Sequence, residues 1–164
     1  MPVSSREWRL TTRPVGEPQP TDFEFATTTV ADPGPGQILV RNDWISIDPY
    51  MPGRMNDVES YIPPFTLDEP MTGSAVGTVV ASAVDTVPVG TTVTHFDGWR
   101  EYALLKASTA QIVDPNLAAP QAYLGVLGTT GLTAWAGLTE IAPIREGDVV
   151  FISGAAGAVG SIAG

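Results

Sequence analysis

Apolar side chains recur at every second position over several short stretches in the first part of the chain, the pattern of strands that bury one face. Glycine and proline separate these stretches, as in 32–36, where proline fixes φ and glycine supplies the unusual backbone angles of a turn. Short strands at this spacing are typical of an irregular barrel or sandwich. The predicted strands are 23–27, 37–47, 73–83, 92–96, 99–105 and 110–113.

Two further features interrupt this strand pattern. Asp48 and Pro49 form a helix-start signal, because aspartate caps a helix and proline suits its first position, so we expect a short helix through Tyr50 and Met51. Pro52 limits its length. The proline-rich residues 61–70 indicate a surface loop, and the two glycines of strand 73–83 suggest a bulge or tight packing.

The pattern changes near Asn116. Residues 118–127 and 131–141 have the alanine, leucine and aromatic content of helices, and 149–152 is a continuous apolar run typical of a parallel strand covered on both faces. We therefore expect two domains, residues 1–120 and residues 121–164.

A glycine turn follows the apolar run directly. Gly154, Gly157 and Gly160 are spaced three apart, and small residues that suit a helix follow them. Pyrophosphate must reach backbone N–H groups at a helix N-terminus, which a side chain would block, so the turn predicts dinucleotide binding at Gly157, Ala158, Val159 and Gly160. A purely structural turn is the alternative, and a phosphate loop for ATP is disfavoured because no Gly-Lys-Ser/Thr follows.

The chain stops at Gly164, roughly one turn into this predicted helix. The residue that separates NAD from NADP would lie about 20 positions further on. We therefore expect a truncated Rossmann unit, and a fragment of a longer protein that binds nucleotide weakly, turns over nothing and aggregates through its apolar run.

Composition excludes several classes of function. The net charge is −10, the only lysine is Lys106, and the seven arginines stand singly, so no basic stripe could follow a phosphate backbone and nucleic acid is disfavoured as a partner. The absence of cysteine and the single histidine, His95, argue against disulfides, thiol nucleophiles and a zinc site. No apolar run reaches the ~18–20 residues of a membrane helix and no signal peptide is visible, so we expect a cytoplasmic protein without a membrane partner.

Several motifs together resemble one family, the zinc-independent alkenal and prostaglandin reductases of the medium-chain dehydrogenase/reductase superfamily. The resemblance runs from about residue 6 to the end, with the motifs in the family's order and spacing. The matching stretches are 41–51, 53–55, 71–77, 98–103, 123–128, 131–134 and 155–161.

The resemblance implies a mainly β, GroES-like irregular barrel that binds substrate, followed by the start of an α/β Rossmann domain. It also implies NADPH-dependent, zinc-free reduction of the carbon–carbon double bond of a small enone or enal, in a homodimer about twice this length. A non-catalytic NADPH-binding protein on the same scaffold is the alternative. The sequence departs from the family at Pro52, where arginine is common, and at Thr129 and Thr130, where Met-Pro is common.

By the same resemblance, Tyr50 lies beside the substrate and could donate through its hydroxyl, and Thr133 meets the nicotinamide end of the cofactor. Each has a simpler alternative: Tyr50 could pack at the end of a strand, and Thr133 could bond its own helix backbone. His95 could act as a general acid because its pKa is near neutrality, but we expect a strand or loop residue. Trp99 and Tyr102 are expected in the core or in a pocket wall.

Overall fold

Strands dominate the first part of the computed structural model, which describes residues 2–164. The chain divides into two compact units, one reaching Val113 and one spanning Asp114–Gly164. The strands are β1 (Val3–Leu10), β2 (Phe23–Val30), β3 (Gln37–Ile45), β4 (Ala75–Ser82), β5 (Thr92–His95), β6 (Tyr102–Lys106) and β7 (Gln111–Ile112). The α-helices are α1 (Met51–Arg54), α2 (Thr129–Ala136) and α3 (Ala158–Ala163).

The first unit contains two antiparallel sheets. Five strands pair in the order β6-β3-β4-β5-β7, and β1 pairs with β2 in a separate ribbon. Backbone hydrogen bonds attach β1 to two loops, because Trp8 N–H donates to Trp99 O at 2.9 Å and Trp8 O accepts from Met71 N–H at 2.8 Å.

Two separate apolar clusters form the core of this unit. The sheet cluster fills the five-stranded sheet, and its buried members are Ile38, Val40, Val79, Val87, Val93, Ala103 and Leu105. The methionine cluster joins β1, α1 and the loop before β4, and its buried members are Leu10, Met51, Met55, Phe65 and Met71. Tyr50 and Trp99 pack against the methionine cluster, so the fold places α1 on this second core.

The glycine in the middle of β4 marks the tight packing that the sequence suggested. A Cβ on Gly77 would lie 2.2 Å from Arg41 O on the paired strand. The register shifts twice along this pair, once where Val80 of β4 is left without a partner and once where Asp43 of β3 is left without one. β4 and β3 therefore each contain one irregularity, and Gly77 permits the close approach of the two strands.

β1 escaped prediction because its buried face is partly polar. Ser5 and Glu7 are buried on this face, whereas the buried Leu10 belongs to the opposite face of the strand. The Ser5 hydroxyl accepts from Tyr102 N–H at 3.1 Å, and the Glu7 carboxylate accepts from Arg9 Nε at 2.8 Å. Buried polar groups paired in this way break the apolar alternation that identifies a strand.

Two predictions about the second unit are wrong, those for residues 118–127 and for residues 149–152. Residues 118–127 do not form an α-helix; a 3-10 helix, Pro120–Leu124, takes their place. The chain then folds back so tightly that a Cβ on Gly128 or Gly131 would lie 2.4 or 1.8 Å from a preceding carbonyl oxygen. The second predicted helix, 131–141, is α2 continued by a π-helical turn, Gly137–Ile141.

The predicted strand 149–152 is absent, and this prediction was wrong. These residues pair with no strand of the described chain, and Val149 and Phe151 are 98% and 88% exposed. A strand exists only where a neighbour accepts and donates its backbone hydrogen bonds, and no segment of residues 2–164 pairs with it.

Candidate functional site

Tyr50 occupies the N-cap of α1, with its ring close to that of Phe96 and roughly parallel to it at 6.4 Å between centroids. Its hydroxyl oxygen is buried. Burial, and secondarily the negative charge of Asp48, raises the pKa of Tyr50 to about 12. The hydroxyl therefore keeps its proton at neutral pH, and the neighbouring Asp48 carboxylate, whose hydrogen-bond interaction also raises this pKa, is an acceptor beside it.

Asp48 does not cap the helix as predicted. The N-cap is Tyr50, and it makes no side-chain cap hydrogen bond. The Asp48 carboxylate instead accepts from Ser46 Oγ at 2.8 Å, and its backbone carbonyl accepts from Met51 N–H at 3.0 Å. The turn closed by that carbonyl delays the start of the helix by two residues and leaves the carboxylate beside Tyr50.

Arg54 is a site residue that sequence reasoning missed. It lies one helical turn after Tyr50 and is only 7% exposed. Its guanidinium donates to Pro63 O at 2.8 Å and to Thr72 O at 3.1 Å. A further bond goes to Thr72 Oγ1 at 2.9 Å, and burial lowers the pKa of Arg54. The i, i+4 spacing from Tyr50 was the sequence signal that could have identified it.

Tyr50 and Arg54 line one cavity of about 380 Å³. This volume falls within the range of sites for small organic ligands. The loop after α1 completes the wall, with both apolar and polar side chains. The other lining residues are Pro49, Gly53, Asn56, Val58, Glu59, Ser60, Tyr61 and Ile62. The cavity can therefore enclose a small ligand that has both apolar and polar groups.

Thr133 lies on α2, and its hydroxyl donates to Thr129 O at 2.7 Å. This is the local backbone bond that the simpler alternative expected, although the hydroxyl oxygen can still accept a hydrogen bond. Within the second unit, α2 contacts α3. Tyr50 belongs to the first unit, and Thr133 and the glycine turn belong to the second.

The glycine turn has the geometry that a pyrophosphate requires. A Cβ on Gly160 would lie 1.9 Å from Gly154 O, so only glycine allows the turn to close against the helix. Gly157 is the N-cap of α3, and the first backbone bond into the helix runs from Ser161 N–H to Gly157 O at 2.9 Å. The N–H groups of Ala158, Val159 and Gly160 thus have no intrahelical acceptor, and these residues fit an anionic dinucleotide.

His95 ends β5 and lies in a buried network rather than in the cavity. Its Nδ1 accepts from Asp97 N–H at 3.1 Å, so the proton resides on Nε2, which donates to Asn42 Oδ1 at 2.8 Å. The Asn42 amide donates in turn to Asp97 O at 3.2 Å and Arg100 O at 2.9 Å. Burial lowers the pKa of His95 to about 4, so the imidazole is neutral at physiological pH.

Residues 2–164 contain no group of three or more histidine, aspartate or glutamate side chains that could hold a metal ion. Over the same residues, no helix is long and apolar enough to cross a membrane.

Comparison with known sequences identifies relatives along the whole chain. A family model described as the N-terminal domain of oxidoreductase matches residues 6–113. The putative NADP-dependent oxidoreductase YfmJ of Bacillus subtilis is 42% identical over 164 residues, which is 100% of this chain and 48% of the relative. The NADPH-dependent curcumin reductase of Escherichia coli is 38% identical over 160 residues, 98% of this chain and 46% of the relative. The chain therefore spans about half the length of the curated relatives it matches.

Solved structures match the fold equally well. The crystal structure of CurA from Vibrio vulnificus superimposes with a TM-score of 0.88 at 39% identity, covering 98% of this chain and 47% of that one. CurA in complex with NADPH gives 0.88 at 38% identity, covering 97% and 47%. The predicted fold class is confirmed: a mainly β, GroES-like unit followed by the start of a Rossmann unit.

Proposed function

The chain belongs to the zinc-independent alkenal and prostaglandin reductase family of the medium-chain dehydrogenase/reductase superfamily, and from this premise we propose that the full-length protein is an NADPH-dependent reductase of conjugated carbon–carbon double bonds. Its substrates are small enones and enals. One observation carries the proposal: Tyr50, whose hydroxyl keeps its proton at neutral pH, forms part of the wall of a ligand-sized cavity.

Tyr50 acts on the carbonyl oxygen of the substrate. Hydride from NADPH, when that cofactor is bound, adds to the β-carbon, and the carbonyl oxygen then gains the negative charge of an enolate. The Tyr50 hydroxyl donates to this oxygen and binds it more strongly as the charge develops, which lowers the barrier. A proton from solvent water adds at the α-carbon and completes the saturated carbonyl product.

The second unit supplies the cofactor contacts in this proposal. The backbone N–H groups of Ala158, Val159 and Gly160 bind the pyrophosphate at the turn that Gly157 closes, and Thr133 lies beside the nicotinamide. The relatives named for NADP and NADPH support this cofactor. We assign residues 1–120 to the substrate domain and 121–164 to the beginning of the cofactor domain. A homodimeric state and a cytoplasmic location follow from the family and complete the proposal.

A Tyr50→Phe variant of the full-length protein tests the role of the hydroxyl. We expect kcat for enone reduction to fall by on the order of 10²-fold, because one donor to the developing oxyanion is lost. NADPH oxidation against a panel of enones and enals is the measurement, with NADPH affinity determined separately and expected to be unchanged.

Tyr102→Phe is the matched control, because the Tyr102 hydroxyl is outside the cavity and makes no hydrogen bond among the described residues. Equal losses in the two variants would remove Tyr50 from the mechanism. NADPH binding without turnover of any panel member would favour the non-catalytic alternative.

A further inference from the structure

Trp99 has a backbone conformation that large side chains rarely adopt. Its φ is 63°, in the left-handed region, where a Cβ crowds the backbone. Among residues 2–164, Asp68 is the only other non-glycine residue with a positive φ, and aspartate tolerates it because its short polar side chain can hydrogen-bond locally. A bulky residue in this region is strained, and such strain persists only where the surrounding structure imposes it.

Backbone hydrogen bonds on both sides of Trp99 impose this conformation. Before it, Gly98 N–H donates to Gly73 O at 3.0 Å. At the residue itself, the Trp99 carbonyl accepts from Trp8 N–H at 2.9 Å. A Cβ on Gly98 would lie 2.8 Å from Gly73 O, so the glycine at this position serves the close approach of the two segments. The left-handed conformation therefore falls on the tryptophan that follows the glycine.

The indole of Trp99 approaches α1 through a gap left by Gly73. A Cβ on Gly73 would lie 3.3 Å from Trp99 Nε1 and 2.8 Å from the terminal methyl of Met51, so both groups border the space that this Cβ would fill. The indole N–H is buried and has no hydrogen-bond partner among the described residues, which carries a desolvation cost. Glycine at this position would relieve the strained backbone, and phenylalanine would remove the unpaired N–H. What tryptophan alone supplies here is an indole that extends to the first residue of α1.

Met51 connects the indole to the turn that precedes α1. Its sulfur accepts from Asp48 N–H at 3.5 Å, and its own N–H donates to Asp48 O at 3.0 Å. Met51 is 3% exposed, and Tyr50, the residue before it, packs against the same methionine cluster. A shift of the Met51 side chain therefore moves the turn of residues 48–51, which supplies Pro49 and Tyr50 to the cavity wall.

We propose that Trp99 is a positioning residue: its indole holds the Met51 side chain in place and thereby fixes the turn of residues 48–51 in the cavity wall. Trp99 does not line that cavity, so it acts through Met51. Its effect on reduction rests on the proposed function, in which Tyr50 contacts the substrate carbonyl. A small displacement of a group that orients the substrate lowers kcat, because the transition state requires the correct geometry.

Steady-state kinetics of the full-length protein tests this role. We expect Trp99→Leu to lower kcat for enone reduction by about 10-fold, with smaller changes in KM and in NADPH affinity. Trp99→Phe, which retains an aromatic ring, should keep part of the rate. Met51→Leu, of similar volume, should also lower kcat, and the double variant should be no slower than the slower single variant, because both substitutions break one line of contacts. Losses that multiply in the double variant would overturn the proposal.

Two variants control for a merely structural role. Leu67→Ala truncates another side chain that packs against the methionine cluster, so it should lower stability and leave kcat unchanged. Trp44→Phe alters an exposed tryptophan outside that cluster and should leave both unchanged. An equal loss of kcat in Leu67→Ala and Trp99→Leu would overturn the proposal. If Trp99→Leu does not fold, unchanged kcat in both Trp99→Phe and Met51→Leu would overturn it.

The methyl resonance of Met51 separates this proposal from the proposed function. An indole beside the methyl group shifts its resonance through the ring current, so we expect Trp99→Leu to move the signal that Met51→Leu identifies by its loss. An unmoved signal would overturn the proposal. A moved signal in a protein without reductase activity would refute the proposed function and leave the contact between Trp99 and Met51 supported. A moved signal in an active reductase whose kcat is unchanged would do the reverse.

Discussion

At the scale of single residues, the buried network around His95 shows how one side chain can join three segments. Asn42 on β3, His95 on β5 and the backbone of the following loop exchange four hydrogen bonds. The donor and the acceptor of each hydrogen bond are fixed, because Nδ1 must accept if Asp97 N–H donates to it. A second proton on the ring would remove that acceptor and place an unpaired charge in the interior.

Acid should therefore destabilise the protein through His95. Its pKa is about 4 in the folded state and 6.5 for the free side chain, so between these values the unfolded chain binds the proton more tightly. This contribution is fully present above pH 6.5, falls as the pH is lowered, and is lost near pH 4, amounting to about 3 kcal/mol. Denaturant unfolding across this range measures it.

His95→Gln provides the comparison, since glutamine can donate to Asn42 and accept from Asp97 without titrating. We expect its stability to depend less steeply on pH than that of the wild type. If the stability of His95→Gln and that of the wild type depended on pH in the same way, His95 would not be the group whose protonation destabilises the protein.

The site residues illustrate what a sequence can indicate at this scale. Tyr50 was identified from its motif, but the burial of its hydroxyl is a property that only the fold creates. Arg54 was missed because an arginine is presumed to face water or an acid, and whether an acid is near depends on distant segments. The sequence assigned capping to Asp48 from local propensity alone, and the backbone turn that displaces the cap overrode it.

At the scale of elements, the pairing of β3 with β4 depends on a missing side chain. Gly77 admits Arg41 O to a position that a Cβ would occupy, in the strand that separates β3 from β5. The buried residue Val40 lies on the same stretch of β3, and its Cγ1 would be 2.8 Å from that Cβ. The same position, Gly77, therefore limits both the packing of the sheet cluster and the pairing of β3 with β4.

Gly77→Ala should destabilise the protein by about 3 kcal/mol, because both neighbours are held by the sheet and cannot withdraw. Chemical denaturation compared with Gly53→Ala tests this. Gly53 has open space around its Cβ position and helical geometry, so its replacement should change stability by less than about 1 kcal/mol. A similar small change at Gly77 would mean that the sheet can shift at this point.

The same scale explains which elements the sequence could predict. Strands β2 to β7 were identified to within a few residues from apolar positions that recur between turn residues. The 118–127 segment has helical composition, but its glycines serve a tight reversal that composition does not reveal. The 149–152 run has strand composition, yet a strand is a property of a pair and needs a neighbour.

At the scale of the whole molecule, the two core clusters both lie in the first unit. Every buried member of the sheet cluster and of the methionine cluster precedes Val113, where that unit ends. A chain of that length is sufficient for a domain that folds on its own.

A chain of residues 1–113 should therefore unfold in one cooperative thermal transition, with a midpoint within about 5 °C of that of the first unit in the longer chain. Calorimetry is the measurement. Val79→Ala, which truncates the centre of the sheet cluster, should lower stability equally in both chains, by about 2 kcal/mol. A broad, non-cooperative transition in the shorter chain would show that the first unit requires residues 114–164.

Oxidation of the methionine cluster would report how often this part of the core opens. Met51, Met55 and Met71 are three of the four methionines in the chain, and all are buried beneath Tyr50 and Trp99. Thioethers adapt to changes of shape, so this cluster can adjust its packing. Peroxide can reach these sulfur atoms only when the cluster opens, and a sulfoxide formed there is too polar to be repacked. Methionine sulfoxide would therefore accumulate at these positions at the rate at which the methionine cluster opens.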